Sequence, residues 1–485
     1  MTTATTSPTS PESPTSPESQ VPDAATLETI DRWLSYRTWH SRTPGAQVAV
    51  GVAGRTFFSR AYGWADLRGD VAMTTSHLFR IASHSKTFTA TLVLQLADAG
   101  RLGLEDTLGT HLPAVADSPA LAGIRLRELL EHTGGVLRDG RDADYWQFSR
   151  GFPDNEALLE LALEGGTKTP PGEAFAYSNI GYSLLGLVVE AVTGQSFGEA
   201  ARSAIIAPLG LADTDADHLA DRAGDYAVGH SGLSTAPQRQ SLEHVRTGAM
   251  AAATGFTSTA TDLVTYFGAH AMGDERLLTD RTKRLQQRLA NPGDPRHPEG
   301  SGYGWGMIVE KIDDRTWVGH SGGYPGHITK TLLDPTTGLV ISVLTNAIDG
   351  PAEPLARGVA QLLTDAARTA GEGSPSAAAL ARTGRYASAW GLLDLAAVGG
   401  RLLTLHPTAW APLEGVDELA EDADGGLRIA AGSGYGSVGE PVTFTEDADG
   451  STTGLRYGGM GMTAMPTLAD SRAHRWGGPV DDDRD

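Results

Sequence analysis

The stretch FRIASHSKTFTATLVLQLADAG, residues 79–100, sets Ser83 three residues before Lys86, at the head of a run that soon becomes apolar. The chain holds 5 lysines against 33 arginines, so where it needs only a positive charge it uses arginine. An amine at position 86 therefore invites a chemical reading. Residues three apart share one face of a helix. A helix that starts at Ser83 carries the Lys86 amine to the serine oxygen, where a neutral or hydrogen-bonded lysine helps take the hydroxyl proton. It also turns the Ser83 N–H toward any oxyanion that forms. The competing reading is an N-capping serine followed by a solvent-facing lysine. Two features weigh against it. The third helical position favours Glu or Gln at the already positive helix end, and the run from Leu92 to Leu96 is apolar nearly all round, which marks a buried helix.

Two further segments carry chemistry. In TPPGEAFAYSNIGYSLLGLVVEAVTG, residues 169–194, a Pro-Pro-Gly turn delivers Tyr177, Ser178 and Asn179 to the start of an apolar helix. A tyrosine hydroxyl acts as a base when a neighbouring amine lowers its pKa, and Asn179 offers a substrate amide both a donor and an acceptor. A loop tyrosine followed by a helix-capping asparagine is the plainer reading of that segment alone. In VGHSGGYPGH, residues 318–327, His320, Ser321, Gly322 and Gly323 lie in a strand-like run. Two glycines there let a ligand backbone approach closely; the plainer reading is a turn.

Composition bounds the partners. A formal charge of −21 disfavours nucleic acid and anionic membrane surfaces, which need clustered Lys and Arg. There is no cysteine, so disulfides, thiolate catalysis and Cys-ligated metals are excluded. The 14 histidines form no H-E-x-x-H, and neither a metal nor another cofactor is expected. No apolar run approaches 18 residues, and the first 23 residues lack the basic start and apolar middle of a signal peptide, so the expectation is a cytoplasmic protein.

Along the chain, residues 1–23 read as a disordered Pro/Ser/Thr-rich tail with the hexad SPTSPE written twice from Ser7 to Glu18. Residues 24–370 read as one α+β domain. A helix comes first, then a hairpin through AQVAVGVAG and TFFSRAYGWAD, and helix-length runs end at Gly100 and Gly194. Late strands separated by DPTTG follow, with a closing helix through PLARGVAQLLTDAA. Residues 371–378 read as a linker, 379–470 as a small all-β barrel, and 471–485 as an acidic tail.

Taken together and in order, Ser83-x-x-Lys86, Tyr177-x-Asn179 and His320-Ser321-Gly322 resemble the serine β-lactamase and penicillin-binding-protein superfamily. The nearest branch holds class C β-lactamases, D-alanyl-D-alanine carboxypeptidases, D-aminopeptidases, related esterases and peptide-cyclising thioesterases. LRELLEHTGG (residues 126–135), GYSLLGLVVEAVTG and TGFTSTATDLVTYF also resemble family segments, and the likeness runs from about Thr26 to Ala367. It implies a β-lactamase/transpeptidase-like catalytic domain, an antiparallel sheet flanked by helices plus a helical region. The chain from about Ala377 resembles the small lipocalin-like domain of some members. The resemblance makes Ser83 the acylated nucleophile and Lys86 with Tyr177 the proton-transfer pair. Asn179 then orients the substrate amide, and His320 lines the opposite wall with Ser321 and Gly322. The backbone N–H groups of Ser83 and Gly323 form the oxyanion hole. His320 stands where typical class C β-lactamases carry Lys, which argues against β-lactamase activity.

Two decoys fail on context. Gly319-His320-Ser321-Gly322-Gly323 matches the G-x-S-x-G elbow, but a strand-like run follows it where an elbow needs a helix. Gly434-x-Gly436-x-x-Gly439 matches a dinucleotide fingerprint with no helix after it. His132 reads as a structural helix-end residue. The expected function is a serine hydrolase acting on an amide or ester of a small molecule or peptide, next to a D-amino acid. The alternatives are a peptide-cyclising acyl transferase fed by carrier-bound or activated peptidyl esters, a β-lactamase, and a catalytically silent binding protein. Tyr145, Trp146 and Phe148 in the loop Arg138–Asn155 either line the cleft or cap the core.

Overall fold

The computed structural model describes residues 21–465 apart from 235, 292–299, 372 and 433. The expected acidic tail, and all of the Pro/Ser/Thr-rich tail except residues 21–23, lie outside the described residues.

An eight-stranded antiparallel sheet forms the spine. From one edge to the other its strands are Val71–Ala72, Arg55–Asp66, Gly45–Val52, Leu339–Thr345, His327–Leu333, Arg315–Tyr324, Ile308–Ile312 and Gly302–Tyr303. The central strands Gly45–Val52 and Leu339–Thr345 are buried at every position and mostly apolar because both faces are covered. Side chains alternate between faces with period two. Val48, Val50, Ile341 and Val343 point to one face, where the helices Ala24–His40 and Ala352–Thr369 bury them with Ile30, Trp33 and Val359. Ala49, Val340 and Leu344 point to the other face, toward Leu263 and Phe267 of the helix Ala260–Gly268.

Beyond that second face lies a helical region. The helix Ser85–Asp98 runs through it, packed on Asn179–Thr193 and on the short helix Ala251–Thr254. The N-termini of the two longer helices meet the sheet near the strand Arg315–Tyr324, and the candidate site lies at that seam.

The last eight strands, Gly384–Ser388 to Met460–Ala464, pair in sequence order, and the first also pairs with the last. This closed barrel leaves no free sheet edge. Leu393, Leu395, Leu402, Ile429 and Leu455 belong to its own core. The stretch expected to be a linker ends in a helix, Ala377–Ala381, because the Ser376 hydroxyl caps it by accepting from Ala379 N at 3.1 Å. Among the described residues no helix is long and apolar enough to cross a membrane.

Candidate active site

The strand Phe79–Arg80, paired with Thr257–Ser258, leads the chain into the site. The backbone then turns at Ala82, whose φ of +49° lies in the left-handed region that residues with a Cβ seldom occupy. A 3-10 turn over Ala82–His84 follows, and the α-helix opens at Ser85. The expectation that Ser83 starts the helix is corrected by this step: Ser83 sits in the tighter turn just ahead of it. Neighbours hold the unusual conformation. The Ser85 hydroxyl donates to Ala82 O at 2.6 Å and accepts from Phe256 N at 3.0 Å. The His84 ring spans Ile81 O and Thr331 Oγ1, each at 3.0 Å. Burial pushes His84 down to about 3, so it is neutral, with its Nδ1 proton on the carbonyl. Ser83 itself is half-buried between them.

Lys86 follows within one turn and has no exposed surface. Its Nζ lies 3.1 Å from Ser83 Oγ, 2.8 Å from Asn179 Oδ1 and 2.8 Å from Ala253 O. Two of these three neighbours are carbonyl oxygens that only accept. A charged ammonium donates to all three. A neutral amine spends its two protons on the carbonyls and turns its lone pair to the Ser83 hydroxyl. Both protonation states are therefore satisfied without rearrangement. Burial pushes Lys86 well below its usual value of 10.5; Asp139 opposes that shift and Arg138 adds to it.

Tyr177 OH lies 2.9 Å from Ser83 Oγ. His132 holds the tyrosine in place. This residue also has a positive φ, +60°. Its carbonyl accepts from Ala176 N at 2.6 Å, its Nδ1 accepts from Ser178 N at 3.1 Å, and its ring centroid stands 4.2 Å from that of Tyr177. Ser178 caps the helix Asn179–Thr193 by accepting from Gly181 N at 2.8 Å. The capping residue is thus Ser178, and Asn179 is released to turn its amide inward. Its Oδ1 faces Lys86 and its Nδ2 donates to Asp139 Oδ1 at 2.7 Å. Asn179 was expected to present both a donor and an acceptor to substrate. Its oxygen is committed to Lys86, and one of its two amide protons to Asp139.

The strand Arg315–Tyr324 forms the facing wall. His320 is only 1% exposed, and the protein itself satisfies both ring nitrogens: Nε2 meets Tyr303 OH at 3.0 Å and Nδ1 meets Ser321 O at 2.6 Å. Burial, with lesser contributions from His84 and Lys86, holds it well below the usual imidazole range. The expected wall residue is therefore a neutral ring behind the wall. The two glycines also differ. A Cβ on Gly322 would fall 2.2 Å from Ile81 O, so the backbone that approaches there is the protein's own, two residues before Ser83. Gly322 is buried in that contact, whereas Gly323 is exposed, with Ile328 Cδ1 as the near neighbour at 3.5 Å. Ser321, half-buried, lies inside the ten-residue strand, and the turn at Pro325 and Gly326 leads into the strand His327–Leu333 and not into the helix that a nucleophile elbow needs.

In the loop Arg138–Asn155, Tyr145 is buried and caps the core, while Trp146 and Phe148 each place a ring 6.1 Å from Tyr324, next to Gly323. The sequence reading missed Asp139, Tyr303 and the Ala253 carbonyl. No spacing marks them, and Asp139 looks no different in sequence from Asp142 and Asp144 nearby. Among the described residues no group of three or more His, Cys, Asp or Glu side chains is gathered to hold a metal ion.

The β-lactamase family profile, "Beta-lactamase", matches residues 30–366. Penicillin-binding protein 4 of Amycolatopsis lactamdurans is 30% identical over 329 residues, covering 65% of this chain and 84% of that protein. The solved structure of SurE superposes with a TM-score of 0.59 at 25% identity, over 91% of this chain and 99% of SurE. D-amino acid amidase from Ochrobactrum anthropi SV3 superposes with a TM-score of 0.57 at 25% identity, over 69% of this chain and 95% of the amidase. The profile match holds Ser83, Lys86, Tyr177, Asn179 and His320 within it, and the chain belongs to the β-lactamase family, within the serine β-lactamase and penicillin-binding-protein superfamily.

Proposed function

We propose that the protein is a serine hydrolase that forms an acyl-enzyme at Ser83 and cleaves an amide or ester bond next to a D-amino acid in a small molecule or peptide. One observation carries this reading: Ser83 Oγ lies within hydrogen-bond distance of both Lys86 Nζ, at 3.1 Å, and Tyr177 OH, at 2.9 Å. The nucleophile thus has one proton acceptor and one proton carrier. In the first step Ser83 Oγ adds to the substrate carbonyl carbon and its proton passes to the Lys86 lone pair. The carbonyl oxygen becomes an oxyanion, for which the N–H groups of Ser83 and Gly323 are the proposed donors. Collapse of this adduct breaks the bond to the leaving amine or alcohol, which takes a proton from Tyr177 OH, and Lys86 re-protonates the tyrosine. Water then attacks the Ser83 ester, with the same pair moving its proton in reverse.

The likeness to D-amino acid amidase supports the D-amino acid part of the reading. Trp146 and Phe148 beside Tyr324 supply apolar surface suited to an aromatic or aliphatic side chain. The test is intact-mass analysis with D- and L-phenylalanine methyl esters and amides, using wild type and Ser83→Ala. An adduct confined to position 83 and a D-preference are the expected result. Labelling that persists in Ser83→Ala sinks the mechanism. If added amines capture the acyl group and little free acid forms, the enzyme is an acyl transferase working through the same Ser83 ester.

A further inference from the structure

We propose that Asp139 is the positioning residue of this site: its carboxylate locks the Asn179 amide with Oδ1 toward Lys86, and its charge sets the pH range over which Lys86 accepts the Ser83 proton. The proposal rests on the reading of Lys86 as that acceptor.

The orientation argument comes from the donor inventory. An asparagine amide has two ends of similar shape, and its neighbours decide which way it faces. Asn179 sits between Lys86 Nζ at 2.8 Å and Asp139 Oδ1 at 2.7 Å. An ionised carboxylate only accepts, so it takes the NH2 end and leaves Oδ1 for the amine. Turning the amide over would set its oxygen against a carboxylate and its NH2 against an ammonium, which is unfavourable at both ends. Asp139 is itself fixed on every side. Trp146 Nε1 donates to Oδ1 at 3.1 Å and Arg138 Nε to Oδ2 at 3.1 Å, while Tyr145 OH donates to its carbonyl at 2.9 Å. The preceding carbonyl, Arg138 O, accepts from Asn179 N and Ile180 N at 2.9 and 3.1 Å, which anchors the loop on the helix that carries Asn179.

The charge argument comes from what surrounds Lys86. Tyr177 and Tyr182 present rings 4.8 and 5.8 Å from Nζ. Tyr182 is held neutral by burial, and so is His320 on the facing strand. The helix Ala251–Thr254 contributes the Ala253 carbonyl. The charged groups acting on Lys86 are Asp139 and Arg138, of opposite sign. Arg138 has 65% of its side chain exposed and Asp139 only 14%, so solvent screens the arginine more. Asp139 therefore favours the ammonium, against the burial that favours the neutral amine. The bland alternative is a carboxylate placed near a helix N-terminus to complement its dipole. That role would affect stability and leave the pH dependence of catalysis where it was.

The experiment follows acylation of Ser83 by an activated ester from pH 5 to 10 in wild type, Asp139→Asn, Asp139→Glu and Trp146→Phe, each with thermal unfolding as a check on folding. In Asp139→Asn the maximal rate is expected to fall at least about tenfold, the scale of a displaced proton-transfer group. Its acid limb should move to lower pH by about 0.5–1 unit, because a charge that favours the ammonium has gone. Asp139→Glu keeps the charge and should hold the limb near wild type. Trp146→Phe removes one bond to Asp139 and should leave the limb in place. A folded Asp139→Asn with an unmoved limb overturns the proposal, as does a Trp146→Phe limb that moves as far as that of Asp139→Asn. If Asp139→Asn does not fold, the Asp139→Glu and Trp146→Phe limbs decide, and a shift in either overturns it. Failure here is separable from failure of the mechanism: with Ser83 labelled and the limb unmoved, only the role of Asp139 falls, whereas absence of a Ser83 adduct removes both.

Discussion

Ser83→Ala is expected to abolish labelling by a fluorophosphonate probe while the protein stays folded. The hydroxyl meets Lys86 and Tyr177 and caps no helix, since the turn it occupies and the helix that follows have no side-chain cap. Ser321→Ala should label like wild type, and the reverse pattern would make Ser321 the nucleophile. Lys86→Arg is the sharper test of proton transfer. A guanidinium keeps the charge but does not deprotonate in a protein, so the acylation rate, measured as a burst with an activated ester, should fall by about 10²–10⁴. A rate near wild type would reduce Lys86 to a buried cation. At this scale the sequence spoke through residue types whose chemistry is costly to place elsewhere: a lysine in an arginine-using chain, three residues from a serine, is hard to read as surface charge. It was silent on what tertiary packing alone decides. Whether His320 faces substrate or Tyr303 depends on the edge strand Gly302–Tyr303, seventeen residues away in sequence. The role of Ser85 depends on Phe256, likewise remote.

The helix carrying Lys86 and the strand carrying Gly322 must meet closely, and glycine permits it. Gly322→Ala places a methyl 2.2 Å from Ile81 O and 2.4 Å from Thr329 Oγ1, and one of those contacts is backbone. Overpacking of this kind costs about 1–3 kcal/mol, and the displaced Ile81 should also lower acylation by moving the Ser83 turn. Gly323→Ala meets Ile328 Cδ1 at an ordinary 3.5 Å, and its thermal midpoint should match wild type. Equal midpoints for the two variants would refute this account of the seam. Elements were legible wherever period and punctuation agreed. The hairpin Gly45–Val52 with Arg55–Asp66 follows from two strand-like runs split by glycine, the strand Arg315–Tyr324 from a β-rich run, and the helix ending at Gly194 from an apolar run closed by a left-handed C-cap at φ +73°. The 3-10 turn at Ala82 was not legible, because no local propensity favours a positive φ at alanine. Hydrogen bonds from Ser85 and His84 impose it.

Five histidines, all between residues 84 and 327, give the molecule a predictable acid limit. His84, His244, His270, His320 and His327 are all held below their usual value, chiefly by burial, with His84 and His244 pushed to about 3 and His270 to about 4. In the unfolded chain each titrates near 6.5, so below that pH the unfolded state binds more protons and stability falls as pH falls. A histidine shifted from 6.5 to about 3 loses about 2 kcal/mol by pH 5. Chemical unfolding from pH 8 to 5 should show a steep loss of stability below about 6.5, and a flat profile would contradict neutral burial. The barrel sets the other limit. Along Gly391–Val398 and Arg401–Leu405, alternate residues divide between two cores. Leu393, Leu395 and Leu402 belong to the barrel interior, while Ala396, Val398, Leu403 and Leu405 join Ile30, Trp33 and Leu363, which pack against the eight-stranded sheet. Polar contacts tie the same face: Thr29 Oγ1 to Ala397 O at 3.0 Å, Gly399 N to Thr26 Oγ1 at 3.0 Å, and an Arg401–Asp365 ion pair. A core shared in this way couples the two units, so calorimetry should show one unfolding transition. Leu403→Asp, which sets an unpaired charge at a position 1% exposed, should lower that whole transition by about 3–5 kcal/mol. Two separable transitions, with Leu403→Asp shifting only one of them, would mean that the barrel is an independent passenger and that the apolar face it covers is stable without it.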